Sequence, residues 1–211
     1  MSGPWNPVLD AVRRALGRSP GAPLPPRPAV LPPRSAGGLD DEVAAFLREV
    51  TALSGVARRL SPADVDSELE SLVRGHEVRR ACLWTTPRLA RMDVAGRLER
   101  LGVAIVPPDA GPRALAECDL GVTEADFALP ETGTIGLLSS GERPRGVSLL
   151  PRVHLALVDP AAFRADLHEV FAEARHAPYL VFVTGPSRTA DIELTVTLGV
   201  HGPQHLHVWV L

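Results

Sequence analysis

The sequence predicts an α/β protein: an open, Rossmann-like sheet with helices on both faces. Two observations carry this expectation. Short apolar runs alternate with stripes of helical spacing along most of the chain, the pattern of strands joined by covering helices. The 211 residues, 45% apolar and 22% charged with a net charge of −3, have the balance of a globular protein large enough to bury a core without disulfide staples.

Residues 5–17 place Val8, Leu9, Val12 and Leu16 opposite Arg13 and Arg14, a short amphipathic helix that stops at Gly17. Proline crowds the stretch from Pro20 to Pro33 and disfavours both helix and central strand, so residues 1–38 are expected to form an N-terminal helix and a proline-rich arm. The folded domain is expected over residues 39–211. Its first helix carries Val43, Phe46, Leu47, Val50 and Leu53 on one face, behind Asp40, Asp41 and Glu42 at its positive end. A second helix is expected from Ser61-Pro62 to Gly75. Strands are expected at 81–84, 103–106, 120–122, 135–138, 155–158 and 179–183, with helices at 94–101 and 161–174. The alternation from Ile192 to Val200, the turn residues Gly202-Pro203 and the run Leu206, Val208, Val210 predict a C-terminal β-hairpin, with a short helix after Pro186 as the alternative.

Composition narrows the function classes. Nothing is basic enough for a nucleic-acid footprint. Cys82 and Cys118 lack a C-x-x-C pattern, so no cluster or metal centre is expected in this chain, and reduced thiols fit a cytoplasmic protein. No apolar run is long enough to span a bilayer, and the N-terminus lacks the apolar stretch of a secretion signal.

Two segments can carry chemistry. In Glu131-Thr132-Gly133-Thr134-Ile135-Gly136, glycines permit close backbone approach and hydroxyls can hold a carboxylate or phosphate, with Glu131 as a candidate base or nucleophile. The plainer alternative is a tight turn with a solvated glutamate. Thr184-Gly185-Pro186-Ser187-Arg188-Thr189-Ala190-Asp191 follows an apolar strand expected in the open sheet, so its loop is expected to border the ligand crevice. There Ser187, Arg188 and Thr189 suit an anion, unless Asp191 and Glu193 neutralise the guanidinium. His201 in His201-Gly202-Pro203 can carry a proton or be solvated. His205 and His207 share one strand face, a metal pair lacking an obvious third ligand. Arg143, Arg145 and Arg152 bracket a loop that can add positive charge to an anion site.

The order E-T-G-T, S-L-L-P-R-V-H (148–154), T-G-P-S-R-T-A-D-I-E (184–193) and G-V-H-G-P (199–203) resembles the lactate utilization protein C family, the LutC/YkgG type of LUD-domain protein, over roughly residues 40–211. The resemblance implies a fold similar to the NagB/RpiA/CoA transferase group, with Glu131 as a candidate catalytic residue. It also implies a small-anion site at Thr132, Gly133, Thr134, Ser187, Arg188, Thr189, Asp191 and His201. It further implies the cluster-free component of a system that oxidises L-lactate to pyruvate, with an iron–sulfur partner and a second, cysteine-rich partner; lacking a G-x-G-x-x-G fingerprint and cluster ligands, the chain is expected to be inactive alone. Two other classes stand beside it: a CoA or acyl transferase with Glu131 as nucleophile, because Glu131-Thr132-Gly133 is similar to the E-x-G setting of CoA transferases, and a non-catalytic assembly module.

Overall fold

The computed structural model describes residues 6–19, 23, 26, 33–189, 197–198 and 202–211. The chain divides into two units, 1–32 and 33–211. In the first, α1 (Asn6–Ala15) carries Val8, Leu9 and Val12, and Arg13 pairs with Asp10 at 3.1 Å. The second unit holds the sheets.

Its central sheet has six strands: β1 (Val56–Arg59), β2 (Arg80–Leu83), β3 (Ala104–Val106), β4 (Leu120–Ala125), β7 (Val153–Val158) and β11 (His205–Val210). All neighbours pair in parallel, in the order β1-β11-β7-β4-β2-β3. Every residue of β7 is buried, as expected for a strand flanked on both edges and covered on both faces. Helices α2 (Leu39–Ala52), α3 (Val65–Gly75), α4 (Pro87–Arg91), α5 (Val94–Arg100), α6 (Pro112–Ala116), α7 (Gly146–Leu149) and α8 (Leu167–Ala174) flank the sheets. Helix α2 begins with Asp40, Asp41 and Glu42 and buries Val43, Phe46 and Val50, the face expected from its spacing. Phe46 meets the Phe163 ring edge-on at 5.3 Å.

Two smaller sheets complete the fold. β5 (Phe127–Leu129), β6 (Thr134–Leu138) and β8 (Leu180–Val183) form an antiparallel sheet, and β9 (Arg188–Thr189) pairs antiparallel with β10 (Thr197–Leu198).

Several expectations change. The runs 135–138 and 179–183 are strands, but of the antiparallel sheet rather than the open parallel one. The C-terminal hairpin takes another form: β9 and β10 pair locally, while the last strand lies parallel between β1 and β7, so Gly202-Pro203 leads into the central sheet. The expected helix at 161–174 begins only at Leu167, because Phe163 is extended and the Asp166 carboxylate caps the backbone N–H groups of His168 and Glu169. Ser61-Pro62 form a turn in which the Asp64 carboxylate accepts from Ser61 N and Oγ, and α3 begins at Val65.

One half-buried ion pair ties residues 33–38 to this unit. Arg34 donates to both Glu42 carboxylate oxygens at 2.7 and 2.8 Å, and its backbone N–H reaches Asp166 at 2.7 Å. Burial pushes the Glu42 pKa up, but hydrogen bonds from Arg34 and Gly37 and the charge of Arg34 outweigh it and leave the carboxyl below its ordinary range.

Gly121 in β4 marks the closest approach of helix to sheet: a Cβ there would lie 1.9 Å from the Val147 carbonyl oxygen of α7. Gly121→Ala is therefore expected to cost about 3 kcal/mol or more in urea denaturation. Gly75→Ala, with nothing within 4 Å of the added carbon, is expected to stabilise by about 0.5–1 kcal/mol. Equal effects of the two substitutions would contradict this packing.

Candidate functional site

The segment 130–133 is the tip of the β5–β6 hairpin, whose last paired residues are Leu129 and Thr134. Glu131 and Thr132 are exposed there, and Gly133 takes a left-handed φ of 60°. A Cβ on Gly133 would stand 2.6 Å from the Val50 backbone nitrogen, so this glycine lets the hairpin rest on the last turns of α2. Gly185, at φ 82°, does the same on the other strand: its Cβ would lie 3.1 Å from the Leu53 carbonyl oxygen.

Antiparallel pairing of β6 with β8, with Ile135 opposite Val183, brings the two segments together. Thr132 Oγ1 lies 2.8 Å from Thr134 Oγ1, which lies 2.8 Å from Thr184 Oγ1, so three hydroxyls form one hydrogen-bonded chain. Arg188 is exposed and anchored at the end of α2, donating from Nη2 to the Leu53 carbonyl at 2.5 Å and to Ser54 Oγ at 3.1 Å. Among the described residues no carboxylate pairs with it. The charge of Glu131 acts on Arg34, whose protonation is held chiefly by its hydrogen bond to Glu42. Ser187 N–H donates to the Pro203 carbonyl at 2.9 Å, joining the loop after β8 to the entry of β11. Thr189 pairs with Thr197 through the backbone. Asp191 and His201 lie outside the described residues.

Beside these hydroxyls is a cavity of about 190 Å³ between α7, β7 and the loop after β8. Ser148, His154, Thr184, Ser187, Gly202 and Leu206 contribute to its wall, so three of the four sequence strings meet there. His154 was part of a quoted string but not of the expected site. It is fully buried, its Nε2 lies 2.8 Å from Thr123 Oγ1, and its Nδ1 has no partner. Burial pushes its pKa down to about 4, so the ring is neutral at pH 7. The signal was available in the sequence: a histidine within the otherwise apolar run Val153–Val158 must be buried and therefore needs partners.

A second, larger crevice of about 380 Å³ lies beyond the carboxyl ends of β2, β4 and β7. The chain leaves β2 toward β3 on one side and β4 toward β7 on the other, so this is the topological switch point of the sheet, where α/β proteins commonly bind ligands. It was missed because β8 was read as part of the open sheet. Its lining includes Thr85, Thr86, Glu124, Asp126, Glu142 and Arg143. Its described cation is already engaged, since Arg143 donates to Asp126 at 2.7 Å, and Asp159 of the lining pairs with Arg88 from outside it.

The three loop arginines do not gather into one anion site. Arg143 also lies over the Trp84 ring, Arg145 stacks on Tyr179 with its guanidinium carbon 3.9 Å from the ring centre, and Arg152 bonds Asp119 and the His76 carbonyl. His76 joins the strand pair His205 and His207: its Nε2 is 2.8 Å from that of His207, and its ring centre is 4.6 Å from that of His205. Burial, then the charges of neighbouring histidines and Arg58, holds His207 down at about 4. Among the described residues no three His, Cys, Asp or Glu side chains stand in an arrangement that could hold a metal ion.

Comparison with known proteins fits this layout. Residues 112–211 match the LUD domain model, a span that covers β4, both small sheets, His154 and β11. Lactate utilization protein C of Halalkalibacterium halodurans is 30% identical over 150 residues, 66% of this chain and 65% of that protein. The protein of the same name from Shouchella clausii is 27% identical over 174 residues, 77% of this chain and 76% of the relative. A crystal structure of a DUF162 family protein from Deinococcus radiodurans superposes with a TM-score of 0.62 at 19% identity, covering 83% of this chain and 99% of that one; it shows a shared fold. The LUD domain here thus contains the hydroxyl chain and the cavity, while the β2 side of the switch-point crevice lies before residue 112.

Two outcomes are expected. Because the native state excludes protons from His154 that an unfolded histidine takes up near pH 6.5, stability is intact above that pH and falls as pH drops toward 4. Denaturation curves between pH 7.5 and 4.5 are expected to show a loss approaching about 3 kcal/mol from this residue, and His154→Gln to remove that share while the share of His207, also held at about 4, remains; a wild-type profile already flat would contradict a neutral buried ring. Gly133→Ala, forced against α2 at positive φ, is expected to destabilise by about 2–4 kcal/mol in the same assay.

Proposed function

We propose that this chain is the cluster-free component of an L-lactate utilization system, in which L-lactate is oxidised to pyruvate together with iron–sulfur partner proteins. The observation that supports this reading is the similarity to relatives named Lactate utilization protein C, extending over about two thirds or more of each protein. The side chains of the β6–β8 edge give the reading a physical form. Arg188, braced through Nη2 against α2, presents its remaining N–H groups to a carboxylate, and the Thr132–Thr134–Thr184 hydroxyls suit the α-hydroxyl of a small acid. Removing two electrons from lactate requires an acceptor. Cys82 and Cys118 are both buried, and burial foremost raises both thiols, which suits packing rather than cluster ligation. The electron path is therefore assigned to the partners. No described helix is long and apolar enough to cross a membrane.

Deletion of the gene is expected to abolish growth on L-lactate, and the full chain to copurify with iron–sulfur proteins from lactate-grown cells. Complementation with Arg188→Ala is expected to lower lactate oxidation by the assembled system roughly 10- to 100-fold, the cost of one charge-assisted hydrogen-bonded contact, with Arg188→Lys recovering part of it. Turnover of lactate by the purified chain alone with an artificial acceptor would contradict the role. A mass increase on Glu131 after incubation with acyl-CoA would instead assign the chain to acyl transfer, and full activity of both Glu131→Ala and Arg188→Ala would assign it to assembly.

A further inference from the structure

The cavity beside His154 has a chemistry different from that of the exposed Arg188 edge. Among the described residues its wall contains no charged side chain; Leu149 and Leu206 supply apolar surface, and Ser148, Thr184 and Ser187 supply hydroxyls. A carboxylate entering it would give up hydration with no cation among these described residues to replace it. His154 forms part of the same wall, is 1% exposed, and is fixed on one side by Thr123, while Nδ1 has no hydrogen-bond partner. Buried polar atoms left without a partner are uncommon in native proteins and call for an explanation. At about 190 Å³ the cavity is smaller than the roughly 300–1,000 Å³ of drug-sized sites. The residues around it come from three separate parts of the chain: α7 and β7, the loop after β8, and the entry of β11.

We propose that this cavity binds a small uncharged molecule, or the uncharged end of a larger one, whose hydroxyl or carbonyl oxygen pairs with His154 Nδ1. A hydroxyl matches either tautomer of the ring, because it can donate or accept, and a carbonyl matches the tautomer that carries the proton on Nδ1. The hydroxyls of Ser187 and Thr184 at the mouth offer a second polar contact, and the leucines favour a ligand with an apolar body. The assignment differs from the lactate reading, which places its anion at Arg188; Thr184 is shared between the two, and His154 belongs to this one alone.

The test is an NMR titration of the full chain with hydroxyacetone, an uncharged hydroxyl- and carbonyl-bearing probe, and with acetate as a charged probe of similar size, following the His154 ring nitrogens. Hydroxyacetone is expected to shift Nδ1 saturably, at least tenfold more tightly than acetate. Ser187→Leu, which fills the cavity from its rim, is expected to remove the response while the amide spectrum stays folded; this keeps the test open should His154→Gln fail to fold. No saturable shift, an equal response to acetate, a response that survives Ser187→Leu, or a tightly held water on Nδ1 that hydroxyacetone does not displace would overturn the proposal. Loss of lactate growth in the preceding experiment has no bearing on these outcomes.

Discussion

The antiparallel pairing of β6 with β8 is the constraint on which the proposed anion site depends. It sets Ile135 against Val183 and so brings Thr134 and Thr184, fifty positions apart, within one hydrogen bond. Helix α2 holds both ends of that pairing, because Gly133 and Gly185 leave no side chain between the loops and its last turns. Arg188 then has a fixed anchor at Leu53 and Ser54. The glycines of the two strings thus serve packing, and the proposed anion contacts fall to the hydroxyls and the guanidinium.

The central sheet carries the remaining chemistry. Six paired positions join β4 to β7, from Leu120–Val153 to Ala125–Val158, and this register brings Thr123 to the His154 ring. A neutral imidazole is tolerated in that core because one nitrogen is bonded and burial suppresses its charge. At the other end of the same strands, the switch-point crevice is dominated by carboxylates, with Arg88 and Arg143 each already matched to an aspartate. The described residues therefore present three unlike environments: an exposed guanidinium at Arg188 beside the end of α2, a cavity at His154 with no charged side chain among its described lining, and an acidic crevice beyond β2 and β4.

Much of this was legible in the sequence where local pattern and burial agree. The helical stripe of α2 and the apolar runs of β2, β4 and β7 are each buried as their spacing requires. Sheet membership was not legible for Ile135–Leu138 and Tyr179–Val183, since an apolar run looks the same in a parallel and an antiparallel sheet. β1, Val-Ala-Arg-Arg, escaped notice because an edge strand with two exposed arginines has no alternation to read. The last strand was misplaced because Gly202-Pro203 mimics a hairpin turn, whereas its partners β1 and β7 are distant in the chain. Of the site, the strings around Thr134 and Arg188 were visible; His154 was overlooked because the arginines beside it drew the reading toward surface charge.

The most direct test of the account is a double-mutant cycle on Thr134→Val and Thr184→Val, read by denaturant unfolding. If the two hydroxyls share a hydrogen bond across β6 and β8, the double variant should lose less stability than the sum of the single ones, with a coupling of about 1 kcal/mol. Strict additivity would mean that the two strings do not meet, and the shared edge built on them would fall.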